Sequence, residues 1–252
     1  MMPQKLVTNT ADDFEVAKGY ERPLKEHIAE LRRRALYCSI ATIAVFFIIA
    51  TNYTDTLMQY LAVPIKARNI EFIFLNLSEA LTAKLKVAFV AAVIATMPFM
   101  FWNIWSYVKP ALYKSERKAV ILFTISSIAL FVAGVAFGYL VVFLSSITFF
   151  VYMGQGLATP MLSISQYVGF LFGFIMAFGI VFELPIIIYA LTKLGLVTAK
   201  ELRKWRKYIV FAIFVLAAFL TPPDALSQLL MAGPMIVLYE IGVLVAKHTA
   251  TI

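Results

Sequence analysis

The sequence predicts an all-α, polytopic integral membrane protein, with six transmembrane helices in a concave bundle and both termini cytoplasmic. Three observations predict it. Hydrophobic residues fill 62% of the 252 positions and charged residues only 14%, against roughly 45–50% and 25% in soluble domains. The apolar residues gather in runs able to cross a hydrocarbon core about 30 Å thick, and these runs do not alternate as barrel strands do. All but four of the 22 Lys and Arg residues fall before the first run, in 105–118, in 193–207 or in the tail; the exceptions, Lys66, Arg68, Lys84 and Lys86, lie between the first two runs. By the positive-inside bias, those four basic stretches are cytoplasmic.

Residues 1–22 form a polar extension. It carries Asp12, Asp13 and Glu15 and no apolar h-region, so it reads as neither a secretory signal nor a transit peptide. The membrane domain is expected over 23–252. Pro23 suits a first helical turn, and Leu24, Ile28, Leu31 and Ala35 make one apolar stripe of an amphipathic lead-in to span one, 36–53. The lead-in reads KEHIAELRRRAL and sets Glu26, His27 and Glu30 among Arg32, Arg33 and Arg34. Glu30 precedes Arg34 by four residues, which fits a surface ion pair worth a few tenths of a kcal/mol and equally fits a binding carboxylate. Cys38 is the single cysteine, so no intrachain disulfide or multi-cysteine metal or redox site is available.

Span two, 85–105, contains Pro98 and runs into WSYVKPALYKSERKA, where Glu116 sits among Lys114, Arg117 and Lys118. Glu30 and Glu116 are the carboxylates nearest the membrane in the cytoplasmic stretches before spans one and three. Two carboxylates on a cationic surface can take guanidinium groups in a bidentate geometry that lysine cannot reproduce. Span three, 119–150, would measure roughly 48 Å and must tilt or project. Gly134 and Gly138 there, like Gly169 and Gly173 in span four (167–192), are spaced for close helix approach. Span four also carries Glu183, where an intramembrane charge costs at least a few kcal/mol unless paired or hydrated, and Pro185, which removes a backbone hydrogen bond and favours a kink. Span five, 207–220, covers only about 21 Å. The turn Thr221-Pro222-Pro223-Asp224 leads into span six, 226–246, with Asp224 placed to cap it. Glu240, near the end of span six, is able to snorkel toward Lys247.

Several of these stretches, in this order, resemble the TatC family, the polytopic receptor subunit of the twin-arginine protein translocase. HIAELRRR, MPFMFWNIWSYVKPALYKSERK, FGIVFELP and TPPD are similar to that family's signatures at the corresponding spans. The resemblance implies a glove-like bundle whose cytoplasmic surface binds the S-R-R-x-F-L-K type motif in signal peptides of folded cargo. It implies that Glu30 and Glu116 are the signal-binding glutamates, with Arg32 supporting that surface. It makes Glu183 a polar intramembrane site for TatA and TatB subunits, and Pro222, Pro223 and Asp224 a structural turn. Export driven by the proton-motive force, other TatC copies as neighbours, membrane lipids around the bundle, and a bacterial inner membrane location follow from the same resemblance. Tyr107 departs from the family's usual Phe.

Other classes fit less well. A secondary transporter would show inverted repeats and midplane ion ligands, and the sequence has no convincing internal repeat. No H-E-x-x-H, G-x-S-x-G or deep aspartate pair supports an intramembrane protease, so no enzyme activity is expected. The net charge of +8 is spent on span-flanking topology signals rather than a basic domain, so anionic lipid and not nucleic acid is the expected counterpart. No cofactor or metal is expected.

Overall fold

The computed structural model describes residues 24–68, 70–73, 75–109, 119–154, 161–221 and 225–249. The chain is helical almost throughout, because each run is apolar on most sides and a bilayer requires backbone groups to bond within their own segment. Span one is α1, Leu24–Asn52, and a short helix α2, Thr54–Lys66, follows it. After strand β1, Glu71–Ile73, span two is α3, Glu79–Val108. Span three comprises α4, Ala119–Phe137, a π-helical turn Gly138–Phe143, and α5, Leu144–Gly154. Strand β2, Met161–Ser163, leads to span four, made of α6, Ile164–Val181, and α7, Leu184–Lys193. Spans five and six are α8, Ala199–Leu220, and α9, Ala225–Thr249.

Five of these six units are long and apolar enough to cross a membrane. The other, α8, spends its first half on Arg203, Lys204, Arg206 and Lys207, so its apolar part is the short stretch the sequence predicts. A capping box at Thr198 and Glu201 starts it, each side chain bonding the other residue's backbone N–H. The amphipathic lead-in and span one are a single helix. Ile28 and Leu31 of its apolar stripe are exposed, so that stripe faces away from the bundle.

Span four packs against spans two, three, five and six, whereas span one packs chiefly on span two and span five chiefly on span six. The helices thus form an arc with span four at its middle. A β-carbon on Gly134 would lie 2.5 Å from the Phe178 carbonyl oxygen, and one on Gly138 3.0 Å from that of Phe174. Spans three and four therefore meet backbone to backbone, as their spacing predicts. Gly169 differs: a β-carbon there would meet nothing within 4 Å. The small residue opens space in place of the expected helix contact. Spans one and two share a hydrogen bond between the Thr42 and Thr96 hydroxyls, 3.1 Å apart and buried.

At the end of the bundle opposite the basic stretches lies a cap that the apolar runs do not announce. Strands β1 and β2 pair in parallel, Phe72 opposite Leu162 and Ile73 opposite Ser163. The Tyr167 hydroxyl donates to the Leu61 carbonyl at 2.6 Å. Arg68 donates to the Thr148 hydroxyl at 2.7 Å, which ties α5, the projecting part of the long third span, to the cap.

Candidate functional site

Glu79 gathers that cap. Its Oε2 accepts from the Leu75 N–H at 2.7 Å, with the Asn76 N–H at 3.4 Å. Its Oε1 accepts from the Ser165 N–H at 3.1 Å and from the Ser163 hydroxyl. Ser163 in turn caps α6 by accepting from the Gln166 N–H. One carboxylate thus fastens the starts of spans two and four and satisfies helix-end donors that would otherwise be orphaned. Sequence reasoning missed it. A Glu in a first helical turn reads as an ordinary dipole partner, and two of its donors are more than 80 residues away.

Glu30 lies at the basic end, partly buried on α1. Arg34 donates to its Oε1 from Nη2 at 2.7 Å and from Nε at 3.0 Å, and reaches the Asn103 carbonyl on span two from Nη1 at 3.2 Å. The i, i+4 pair anticipated from spacing is formed, and it bridges two helices as well. Glu26, Glu30, Arg33, Arg34, Tyr37 and Asn103 line a groove of about 580 Å³. Arg33 donates to the Tyr37 hydroxyl at 2.8 Å and lies over its ring. Glu26 shares the groove because it stands one turn before Glu30, a spacing that was available in the sequence. Arg32, two positions from Glu30, is exposed on another face, so Arg34 is the arginine that orients Glu30. Glu116 and the side chain of His27 lie outside the described residues, as do Pro222, Pro223 and Asp224. Thr221, just before that turn, is buried and bonds back to the Ala217 carbonyl at 2.9 Å.

Glu183 occupies the two-residue break between α6 and α7, where Pro185 opens the new helix. The break is the kink expected at this proline. The carboxyl is buried beside Ser127 of span three, and its Oε1 has no hydrogen-bond partner among the described residues. Ser127 is itself held by the Trp105 indole N–H of span two at 2.9 Å. Phe123 lies tilted against Trp105, ring centroids 5.0 Å apart, and meets Tyr189 edge to face on the side toward the basic end. Three spans therefore converge on one acid with an unpartnered oxygen. Glu240 pairs with Arg206 of α8 at 2.6 Å, a partner on the neighbouring helix that the sequence reading did not name.

A six-helix membrane bundle with a carboxylate-bearing groove at its basic end and a buried acid in a broken span has the architecture of a polytopic membrane transport protein. A model of the family described as Sec-independent protein translocase protein (TatC) matches residues 26–234. The chain belongs to the TatC family. It is 40% identical over 225 residues to the TatC protein of Carboxydothermus hydrogenoformans, covering 89% of this chain and 92% of that one. It is 36% identical to TatCy of Bacillus subtilis, covering 91% of each, and 36% identical to TatC of Aquifex aeolicus over 89% and 95%. The crystal structure of the twin-arginine translocase receptor TatC superposes with a TM-score of 0.83 at 34% identity, over 89% of this chain and 99% of that one.

Proposed function

We propose that this chain is the signal-peptide receptor of a twin-arginine translocase. The basic end faces the cytoplasm of a bacterial inner membrane, with both termini on that side. Glu30 and Glu116 take the paired arginines of a signal peptide, with Arg34 orienting Glu30 and Arg32 adding positive charge at the same end without touching the groove. Arg34 carries this reading. It already sets a guanidinium on Glu30 through two donors, so the groove accepts the group an incoming arginine would present, and exchange of one guanidinium for another keeps the carboxylate paired throughout. The pair is a quarter exposed, so an incoming guanidinium reaches it from solvent.

Glu183 then serves partner assembly. An acid with one oxygen unpartnered in a water-poor site favours a polar group arriving on another helix, the chemistry a TatA- or TatB-type subunit would supply before proton-motive-force-driven export. Further TatC copies and membrane lipids complete the surroundings. The test is site-specific crosslinking of a twin-arginine precursor to membranes holding this chain with its native partners. Glu30→Ala combined with Glu116→Ala abolishes the crosslink at this face; an undiminished crosslink refutes the assignment.

A further inference from the structure

At the end opposite the basic stretches, a cavity of about 700 Å³ opens between spans two, four and five and the projecting α5. That size lies in the range of ligand sites. Its walls are apolar, with Phe150 and Val151 from α5, Phe170 from α6 and Leu220 from α8. Its polar atoms gather at one side. The Lys86 ammonium donates to the Ser165 hydroxyl at 3.3 Å, and Gln166 is the next residue along.

Lys86 is exposed at the mouth of this cavity. It stands seven residues into α3, roughly 10 Å from the start of the helix. Lys84, two residues earlier, has Asp55 at 2.5 Å, and Arg68 has Thr148 and the Pro64 carbonyl. Lys86 has only a neutral hydroxyl, with no carboxylate within ion-pair distance among the described residues. A cation without a counter-charge beside an apolar cavity favours an anion. Gly169, one turn along α6 from Ser165, lines the same cavity and has nothing within 4 Å of where its β-carbon would be. A glycine that no helix approaches leaves a channel running from the ammonium into the apolar walls.

We propose that this cavity holds one anionic phospholipid, its phosphodiester on Lys86, Ser165 and Gln166 and an acyl chain laid along Gly169 between Phe170 and Leu220. A phosphate satisfies the ammonium, and the apolar walls take a chain of methylenes that offers no polar group needing a partner. An apolar peptide fills the walls and leaves Lys86 unanswered, and a peptide chosen for its arginines brings charge of the wrong sign. The proposal stands apart from the receptor reading, because neither Glu30 nor the direction of the bundle enters it.

Native mass spectrometry of the full chain in mild detergent, titrated with phosphatidylglycerol, tests it. One lipid binds saturably, and phosphatidylcholine binds at least about 5-fold more weakly. Lys86→Gln lowers phosphatidylglycerol affinity by about 5-fold or more, while Lys84→Gln leaves it unchanged because Asp55 already answers that charge. Gly169→Leu starts from open space at its β-carbon, fills the channel and lowers affinity for both lipids. Melting curves confirm that each variant is folded. Phosphatidylglycerol affinity unchanged in Lys86→Gln or in Gly169→Leu overturns the site, as does equal binding of the two lipids, or displacement of bound phosphatidylglycerol by a twin-arginine peptide.

Discussion

Glu79 and Glu183 are equally buried, at 6% and 5% exposure, and yet their surroundings are opposite. Glu79 receives three backbone N–H groups and a hydroxyl, drawn from both sides of the cap. Glu183 has Ser127 beside it and an oxygen with no hydrogen-bond partner among the described residues. A buried polar group with a full set of donors holds structure together, whereas one left short is a cost that folding alone does not explain. The difference assigns the two ends of span four different work. Its start is fastened to span two by Glu79, and its break leaves a buried carboxyl oxygen without a hydrogen-bond partner among the described residues, which is where the proposed function places partner assembly.

The largest expected effect is on the fastened side. Glu79→Ala strands the Leu75 and Ser165 N–H groups in a buried site and lowers the melting temperature by at least about 5 °C, read by a thermal shift assay in detergent. Glu183→Gln keeps a polar side chain beside Ser127, removes an acid with an unpartnered oxygen, and leaves the melting temperature within about 2 °C of the parent. If both variants lost the same stability, the contrast between the two carboxylates would be broken.

A smaller effect sharpens it. Trp105→Phe keeps the ring against Phe123 and removes the indole N–H that holds Ser127, at a cost of about 1 kcal/mol. Because Ser127 is then free to turn, partner co-purification falls more than stability does. The smallest effect lies outside the membrane, at the start of α8. The backbone N–H of Thr198, and then its hydroxyl, hold the Glu201 carboxyl below the usual carboxylate range. A folded-state value below the unfolded one means the carboxylate contributes stability at neutral pH, and that contribution fades as pH falls below about 4.3 toward the folded value. Glu201→Gln lowers stability slightly at pH 7, where the carboxylate contributes, and converges on the parent in acid, which flattens that limb in a series of melting curves against pH.

The same contrast explains how much was legible in the sequence. The six spans are long apolar runs, and the isolated acid with Pro185 two residues later announced both Glu183 and the break around it. Glu30 was legible because its partner, Arg34, is one turn away. The cap was not. Strands of three residues and a 13-residue helix with Pro64 inside it carry too little periodicity to stand out. Glu79 owes its role to Ser163 and Ser165, which only the folded chain brings near. Gly169 and Gly134 share the same small-residue pattern, yet one meets a helix and the other meets open space, so spacing marks where a close approach is permitted and not whether it occurs.

The most direct test of the account is to measure, on one set of membranes with native partners, how much TatB-type subunit co-purifies with the Glu183→Ala chain and how much twin-arginine precursor crosslinks to it. The account predicts partner recovery reduced by about 5-fold or more, with precursor crosslinking near the parent level. Full partner recovery together with lost precursor crosslinking would contradict it.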